Sequence, residues 1–342
     1  MDARALLHLF LATILSLPVP LVALAATAPP QDAQAMIEAL TKANAAVVGV
    51  QVTVADGARS AETLGKQRTG SGVVIGPDGL ILTIGYLVME AQTIQVVTQD
   101  NRTIPARPVA YDLATGFGLV RSLLPLRGIA PVSLGSHKDL SAGDMVMAAI
   151  GGSGADVTMT QLMSKRPFSG NWEYHIDTAL FTSPPISNHS GAPLFNQRGE
   201  LLGMGSLFVG DVTGQSPRIP GNMFVPVDLL KPILAELQQT GSSRQSHRPW
   251  LGVTSSEQGG RVNVVRVTKN SPAYEAGLGA GDVLLAVDGM KVSTLEEFYR
   301  KLWARAKPDD EVTLTVLQGA EVKTMKLRGV DRMTTMMKPA GI

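Results

Sequence analysis

From Val48 onward the chain is written in short, period-two apolar runs broken by turn residues. Val48, Val50, Val52 and Val54 alternate with other residues, the mark of a half-buried strand. Further runs follow, VVI before GPDG, LILT after it, then TIQVV, VSL, MVMAAI and LLGMG, ending near Asn222-Met223-Phe224-Val225-Pro226. Many short strands joined by Gly, Pro, Asp and Asn, with few long helical patterns, predict a mainly β barrel or sandwich. Ahead of this region, Met36, Ile37 and Leu40 share one face of a short lead-in helix. Behind it, Asp228 is expected to cap a helix whose stripe is Leu230, Ile233, Leu234 and Leu237, with Pro232 in its first turn.

Residues 239–248, QTGSSRQSHR, are polar throughout and read as a linker. A second unit spans 249–330. It has strands at WLGV, VNVVRV and VLLAV, and a helix with Leu295, Phe298, Tyr299, Leu302 and Trp303 at i, i+3, i+4, i+7 and i+8. A hairpin turning at Gly319-Ala320 closes it, and residues 331–342 read as a frayed tail. The expected division is 1–28 address, 29–46 lead-in helix, 47–238 first domain, 239–248 linker, 249–330 second domain and 331–342 flexible tail.

The address is MDARALLHLFLATILSLPVPLVALAATA. Arg4 precedes an apolar run from Leu9 to Ala26, and both Ala23-Leu24-Ala25 and Ala26-Thr27-Ala28 fit a signal-peptidase site. Pro18 and Pro20 interrupt the run, which favours cleavage over retention as an anchor and leaves no stable membrane span. The mature protein is expected in a bacterial periplasm.

Chemistry is bounded by what the chain lacks. It contains no cysteine, which excludes disulfides, thiolate metal sites and a cysteine nucleophile. Lys+Arg 30 against Asp+Glu 29 gives a net charge of +1, with no excess for binding nucleic acid. The five histidines (His8, His137, His175, His189 and His247) show no metal-ligand spacing, so neither a metal nor a cofactor is expected. Gly70-Ser71-Gly72 lacks the third glycine of a dinucleotide loop, and Gly151 to Ala155 falls short of a nucleophile elbow. The segment N-H-S-G-A-P-L, Asn188 to Leu194, suits a tight loop presenting a serine hydroxyl beside converging backbone N–H groups. An ordinary hairpin turn would use the same residues.

Several blocks then fall in one order. TGSGVVIGPDGLILTIGYLV (69–88), YDLATGFGLV (111–120), NHSGAPLFNQRGELLGM (188–204), NMFVPVDLLKPIL and WLGV…NSPAYEAGLGAGDVLLAVDG together resemble the HtrA/DegP family. Its members are envelope serine proteases built of a trypsin-like double β-barrel followed by a PDZ domain. The resemblance implies that Ser190 stands at the nucleophile position. Tyr86 occupies the position of the general-base histidine, and Gly116 that of the orienting aspartate. In the oxyanion loop Asn188 replaces a glycine two before Ser190, and Ala192 replaces the second glycine after it. A phenol with a pKa near 10 is a poor base at neutral pH, and glycine orients nothing, so an inactive protease domain is implied. His189 is the nearest candidate for a substitute base, but adjacent side chains on extended backbone point apart.

For the PDZ domain the resemblance implies a peptide groove. Leu251, Gly252 and Val253 would take the carboxylate, and Phe298 and Leu302 would line the helix side. The implied partners are unfolded or C-terminal peptides of envelope proteins and an active relative, with assembly as a homotrimer. Three functions stand open: a peptide-binding adaptor or regulator of envelope quality control, a serine endopeptidase with a non-standard site, or a structural scaffold whose oligomer matters more than either groove.

Overall fold

The computed structural model describes residues 31–305 and 307–337; the expected address at 1–28 and the last residues of the expected tail lie outside them. Helix α1 (Gln31–Ala45) leads into two six-stranded closed barrels. The first contains β1 (Val47–Val54), β2 (Gln67–Val74), β3 (Leu80–Ile84), β4 (Ala91–Val97), β5 (Thr103–Tyr111) and β6 (Phe117–Ser122), closing in the order β1-β2-β3-β6-β5-β4. Single-turn helices α2 (Ala61–Leu64) and α3 (Gly85–Val88) sit in its connections. The second contains β7 (Met145–Ile150), β8 (Asp156–Gly170), β9 (Tyr174–Ser183), β10 (Pro193–Phe195), β11 (Leu201–Val209) and β12 (Gly221–Pro226), closing as β10-β11-β12-β9-β8-β7. The expected alternation is real: Val48, Val50, Val52 and Val54 are all buried. Closing each sheet on itself leaves no free edge. The run VSL forms only one isolated bridge, Leu134 with Leu201, rather than a strand.

Pro232 reshapes the helix expected from Asp228. It has no N–H to donate and disfavours helical geometry at the residue before it, so the chain makes a 3-10 turn over Val227–Leu229. Helix α4 then begins at Leu234 and ends at Thr240. Asp228 caps nothing there. Its carboxylate accepts from Ser136 Oγ at 2.7 Å and from His137 N at 3.0 Å. The apolar stripe survives, with Leu230, Ile233 and Leu237 buried against the barrel.

The polar segment after α4 is docked. Asp112, fully buried, accepts from Ser243 N, Ser243 Oγ and Ser246 Oγ at 3.1, 2.5 and 2.5 Å, besides Thr115 N and Oγ1. Serines that read as solvent-facing linker residues thus satisfy a buried carboxylate.

The second unit begins with β13 (Pro249–Trp250) and continues through β14 (Val253–Gln258), β15 (Arg261–Val267) and helix α5 (Pro272–Glu275). There follow β16 (Val283–Val287), β17 (Met290–Lys291), α6 (Leu295–Trp303), β18 (Glu311–Gln318) and β19 (Glu321–Arg328). The sheet order is β14-β15-β16-β18-β19, which places β14 at an edge. Thr294 caps α6 by accepting from Glu297 N, and Leu295, Phe298, Tyr299 and Leu302 carry its buried face. The start of the expected frayed tail is ordered. Val330–Asp331 (β20) pairs with β13, helix α7 (Arg332–Thr335) follows, and Met337 N donates to Glu90 Oε1 at 3.0 Å on the first barrel.

Candidate functional site

Tyr86, Gly116 and Ser190 converge where the two barrels meet. Strand β3 runs into α3, which carries Tyr86, and Gly85 N donates to the Gly116 carbonyl at 2.7 Å. Only glycine fits at 85, since a Cβ there would lie 2.5 Å from the Tyr111 ring. The loop before β10 carries Ser190. The barrels are tied at this point by Ser71 N donating to the Ser190 carbonyl at 2.8 Å. Gly191, at φ +71, would drive a Cβ to 2.1 Å from the Ser71 carbonyl, so the turn demands glycine.

Tyr86 Oη lies 2.7 Å from Ser190 Oγ and 3.0 Å from the Ser206 carbonyl oxygen, with its proton in reach of both. The phenol therefore fills the space beside the serine hydroxyl. Burial pushes its pKa up to about 12, with the Ser190 hydrogen bond pulling the other way. From behind, Arg68 Nη1 donates to the Tyr86 carbonyl at 2.7 Å and to the Met89 carbonyl at 2.9 Å, which fixes α3. Arg68 is held in turn by Ser60 Oγ, and Glu90 accepts from Ser60 N and Oγ.

Gly116 sits at φ +82, and a Cβ there would come 3.3 Å from Tyr174 Oη. Tyr174 in turn donates to the Thr115 carbonyl at 2.7 Å. The space for an orienting carboxylate is bounded by a buried phenol.

His189 forms no hydrogen bond with Ser190. Its Nδ1 is buried without a partner among the described residues, and burial lowers its pKa despite the nearby Ser187 and Ile186 backbone groups. Among the described residues the backbone N–H groups of Asn188 and Ser190 have no acceptor. Ala192 is fully buried, and its carbonyl accepts from Gly205 N at 2.7 Å. The site therefore presents the Ser190 hydroxyl beside a phenol, with no imidazole or carboxylate hydrogen-bonded to it.

A second Ser–His–Asp array lies where the docked segment meets β20. Ser242 Oγ is 3.0 Å from His247 Nε2, and His247 Nδ1 is 2.6 Å from Asp331 Oδ2. Ser242 follows Gly241, the left-handed cap that ends α4, where backbone carbonyls rather than N–H groups converge. An oxyanion would be repelled there. The array clasps the docked segment to β20.

In the second domain, the three N–H groups expected to take a carboxylate already hold one. Leu251 N donates to Glu173 Oε2 at 3.0 Å, while Gly252 N and Val253 N donate to Oε1 at 2.8 and 2.9 Å. Glu173 belongs to the β8–β9 turn of the second barrel and is buried. Burial pushes its carboxyl up, against the pull of the three N–H groups and Arg332. Ser255 N, on the edge of β14, donates to the Asn171 carbonyl at 2.9 Å. Tyr299 Oη of α6 donates to the Gly170 carbonyl at 2.7 Å and accepts from Glu173 N at 3.3 Å.

Phe298 and Leu302, expected on the helix side, are fully buried among the second domain's core residues, as is Tyr299, whose hydroxyl also reaches the groove's occupant. One turn of helix separates inward from outward positions by single residues, so an apolar stripe alone does not rank them. Sequence reading also missed Asp112 and Glu173. For Glu173 the one available signal was an aromatic turn, Asn171-Trp172-Glu173-Tyr174, at a hairpin tip where polar residues are usual.

Among the described residues no cluster of His, Asp or Glu could hold a metal, and no helix is long and apolar enough to cross a membrane. Residues 70–204 match the trypsin-like peptidase domain family, and residues 249–328 match the PDZ domain family. The chain is 28% identical over 269 residues to a probable periplasmic serine endoprotease DegP-like of Hahella chejuensis, covering 74% of this chain and 55% of that protein. It is 26% identical over 261 residues to the serine endoprotease DegS of Haemophilus influenzae, covering 73% of each. The chain spans about half the length of the DegP-like relatives it matches. Among solved structures, an HtrA-type protease AlgW with tripeptide superposes at TM-score 0.53 and 22% identity, over 89% of this chain and 98% of that one. The serine endoprotease from Yersinia pestis does so at 0.53 and 21%, over the same shares. At such identities these likenesses establish the fold alone.

Proposed function

We propose that this HtrA/DegP-like chain, a trypsin-like peptidase domain joined to a PDZ domain, is a peptide-binding protein whose peptidase barrel is proteolytically silent. The observation that carries the reading is the Tyr86 phenol hydrogen-bonded beside Ser190, where a base is required. A serine attacks only as its proton is taken, and a buried phenol with its pKa raised to about 12 takes almost none at neutral pH. Gly116 supplies no carboxylate. In a subtilisin-type protease, loss of the base alone costs on the order of 10⁶ in kcat.

The domain boundaries of the proposal are 47–238 for the barrels and 249–330 for the PDZ domain, the latter including the carboxylate seat at Leu251–Val253. Its ligands are chain ends and exposed extended segments of misfolded envelope proteins, added as a strand to β14. The periplasm is the expected location, in keeping with the names of the DegP-like relatives and the apolar address at the N-terminus. Action as an adaptor or as a regulator of an active relative fits a protein that binds without cutting.

One observation favours a working endopeptidase instead. Ser190 retains a tight loop in which the Asn188 and Ser190 N–H groups have no acceptor among the described residues. The test is cleavage of unfolded casein by protein from residue 29 onward, beside a Ser190→Ala control. Equal, baseline cleavage by both supports the silent barrel. Cleavage lost in the control overturns it.

A further inference from the structure

The carboxylate seat of the PDZ domain is built by that domain alone. Gly252 stands at φ +84, and a Cβ there would fall 2.3 Å from Ser271 Cβ. Thr268 N donates to the Gly252 carbonyl at 2.8 Å, and Ala273 N to the Leu251 carbonyl at 3.0 Å. These contacts, all within the domain, hold the loop whose Leu251, Gly252 and Val253 N–H groups meet at one point. Three convergent donors left without an acceptor in a buried place are costly, so the seat calls for an anion.

The occupant comes from elsewhere in the chain. Glu173 places both carboxylate oxygens on the three donors, and Asn171, two residues earlier, offers its carbonyl to Ser255 on the free edge of β14. A carboxylate in the loop with a carbonyl paired to the edge strand two residues back is the pattern by which an extended chain end adds to a sheet edge. Tyr299 closes the other side through Gly170 and Glu173 N.

We propose that the β8–β9 turn is a built-in ligand of the PDZ groove, with Glu173 in the seat of a peptide's terminal carboxylate, so that a chain end binds only by displacing it. This rests on the reading of the groove as a peptide site. An internal ligand acts at an effective concentration in the millimolar range or above, because its ends are tied to both partners. The apparent affinity for a peptide is then the intrinsic affinity scaled by the fraction of molecules with the turn withdrawn. Weak, single-point contacts do not compete. The groove answers to chain ends presented at high local density or with several strand contacts. On withdrawal Glu173 enters water, while Arg248 and Arg332 lose the charge of its carboxylate, a cost that favours the seated state.

Two measurements on the chain from residue 29 onward test this. Amide hydrogen exchange of Leu251, Gly252 and Val253 is expected to be slow without peptide, and fast in Glu173→Ala while the rest of the PDZ sheet is unchanged. A fluorescent octapeptide ending Ala-Leu-Val with a free carboxylate is expected to bind Glu173→Ala about 10-fold or more tighter than the unsubstituted chain. The same peptide as a C-terminal amide loses that gain. Fast exchange at the three amides in the unsubstituted chain overturns the proposal without any variant having to fold. Equal peptide affinity of the two proteins, both measurable, also overturns it. Amides freed by Glu173→Ala with no peptide bound by either protein would uphold the internal ligand and refute the peptide-site reading instead.

Discussion

The pH dependence of Ser190 reactivity separates the bases that could serve it. With its pKa at about 12, Tyr86 is ionised at pH 7.5 in about 3 molecules per 100,000, whereas an imidazole of ordinary pKa would be about nine-tenths in its base form. The shortfall in base population alone is on the order of 10⁴, and the missing aspartate removes roughly 10⁴ more in the triad proteases where it has been isolated. These losses do not add, because the triad acts as a unit; their joint ceiling is about 10⁶. A fluorophosphonate probe should therefore label Ser190 on the order of 10⁶ more slowly than a full-triad protease, with the rate rising about tenfold per pH unit from 7 to 10. The sign follows from the phenol, whose deprotonated form is the base. Tyr86→Phe removes the share due to Tyr86 and leaves the share due to hydroxide. A rate already flat above about pH 6.5 and abolished by His189→Ala would refute the reasoning, because burial lowers that imidazole's pKa and keeps it in its base form at neutral pH. Tyr86→His should raise labelling, and adding Gly116→Asp should gain little. Position 116 is left-handed, a cost of about 1–2 kcal/mol for a residue with a side chain, and the new Cβ meets Tyr174 Oη at 3.3 Å.

Three further outcomes follow from the packing. Tyr86→Phe should destabilise the first domain by about 1–2 kcal/mol, since the Ser206 carbonyl and Ser190 hydroxyl lose a shared partner; urea unfolding reads this directly. Asp112→Ala should cost about 3 kcal/mol or more and expose residues 239–248 to proteases, because five hydrogen bonds converge on that carboxylate. Burial raises the Glu90 pKa, but hydrogen bonds from Ser60 and Met337 and the charge of Arg68 outweigh it and set it below 4.5. Its contribution is present above the unfolded value and lost as pH falls through the folded one. Residues 331–337 should hence become protease-sensitive as pH falls below about 4.5 and stay protected at pH 6.

Much of the architecture was legible because it depends on local chemistry. The hairpin of β18 and β19 follows from alternating Val312, Leu314 and Val316 with a left-handed Gly319, and α6 from its apolar spacing behind a Thr294 cap. The approach of Tyr86 to Ser190, 104 residues apart, was accessible only through the resemblance of whole blocks. Periodicity says nothing about such pairings. Elsewhere tertiary structure overrode local signals. Ser243 and Ser246 look like linker residues until a carboxylate 131 and 134 residues away needs donors. Glu173 is an unremarkable turn residue until the loop 78 residues on presents three N–H groups to it. Pro232 could have been weighed correctly from sequence, since its missing N–H and the restriction on Lys231 both argue for a helix beginning later.

The pairing of β13 with β20 bears on how the second domain could ever come away. Pro249 faces Asp331 and Trp250 faces Val330, so the strand that enters the domain and the strand that leaves it are zipped together at the neck. A module hung from one strand swings about its tether. This one is drawn shut like a purse, with His247 on Asp331 as the clasp and Met337 fastened to the first barrel. Separation must undo these fastenings and also the hold of Glu173, Asn171 and Gly170 on the second domain. A pull at the C-terminal end would meet the Met337 and Asp331 fastenings before it reached the sheet from β14 to β19.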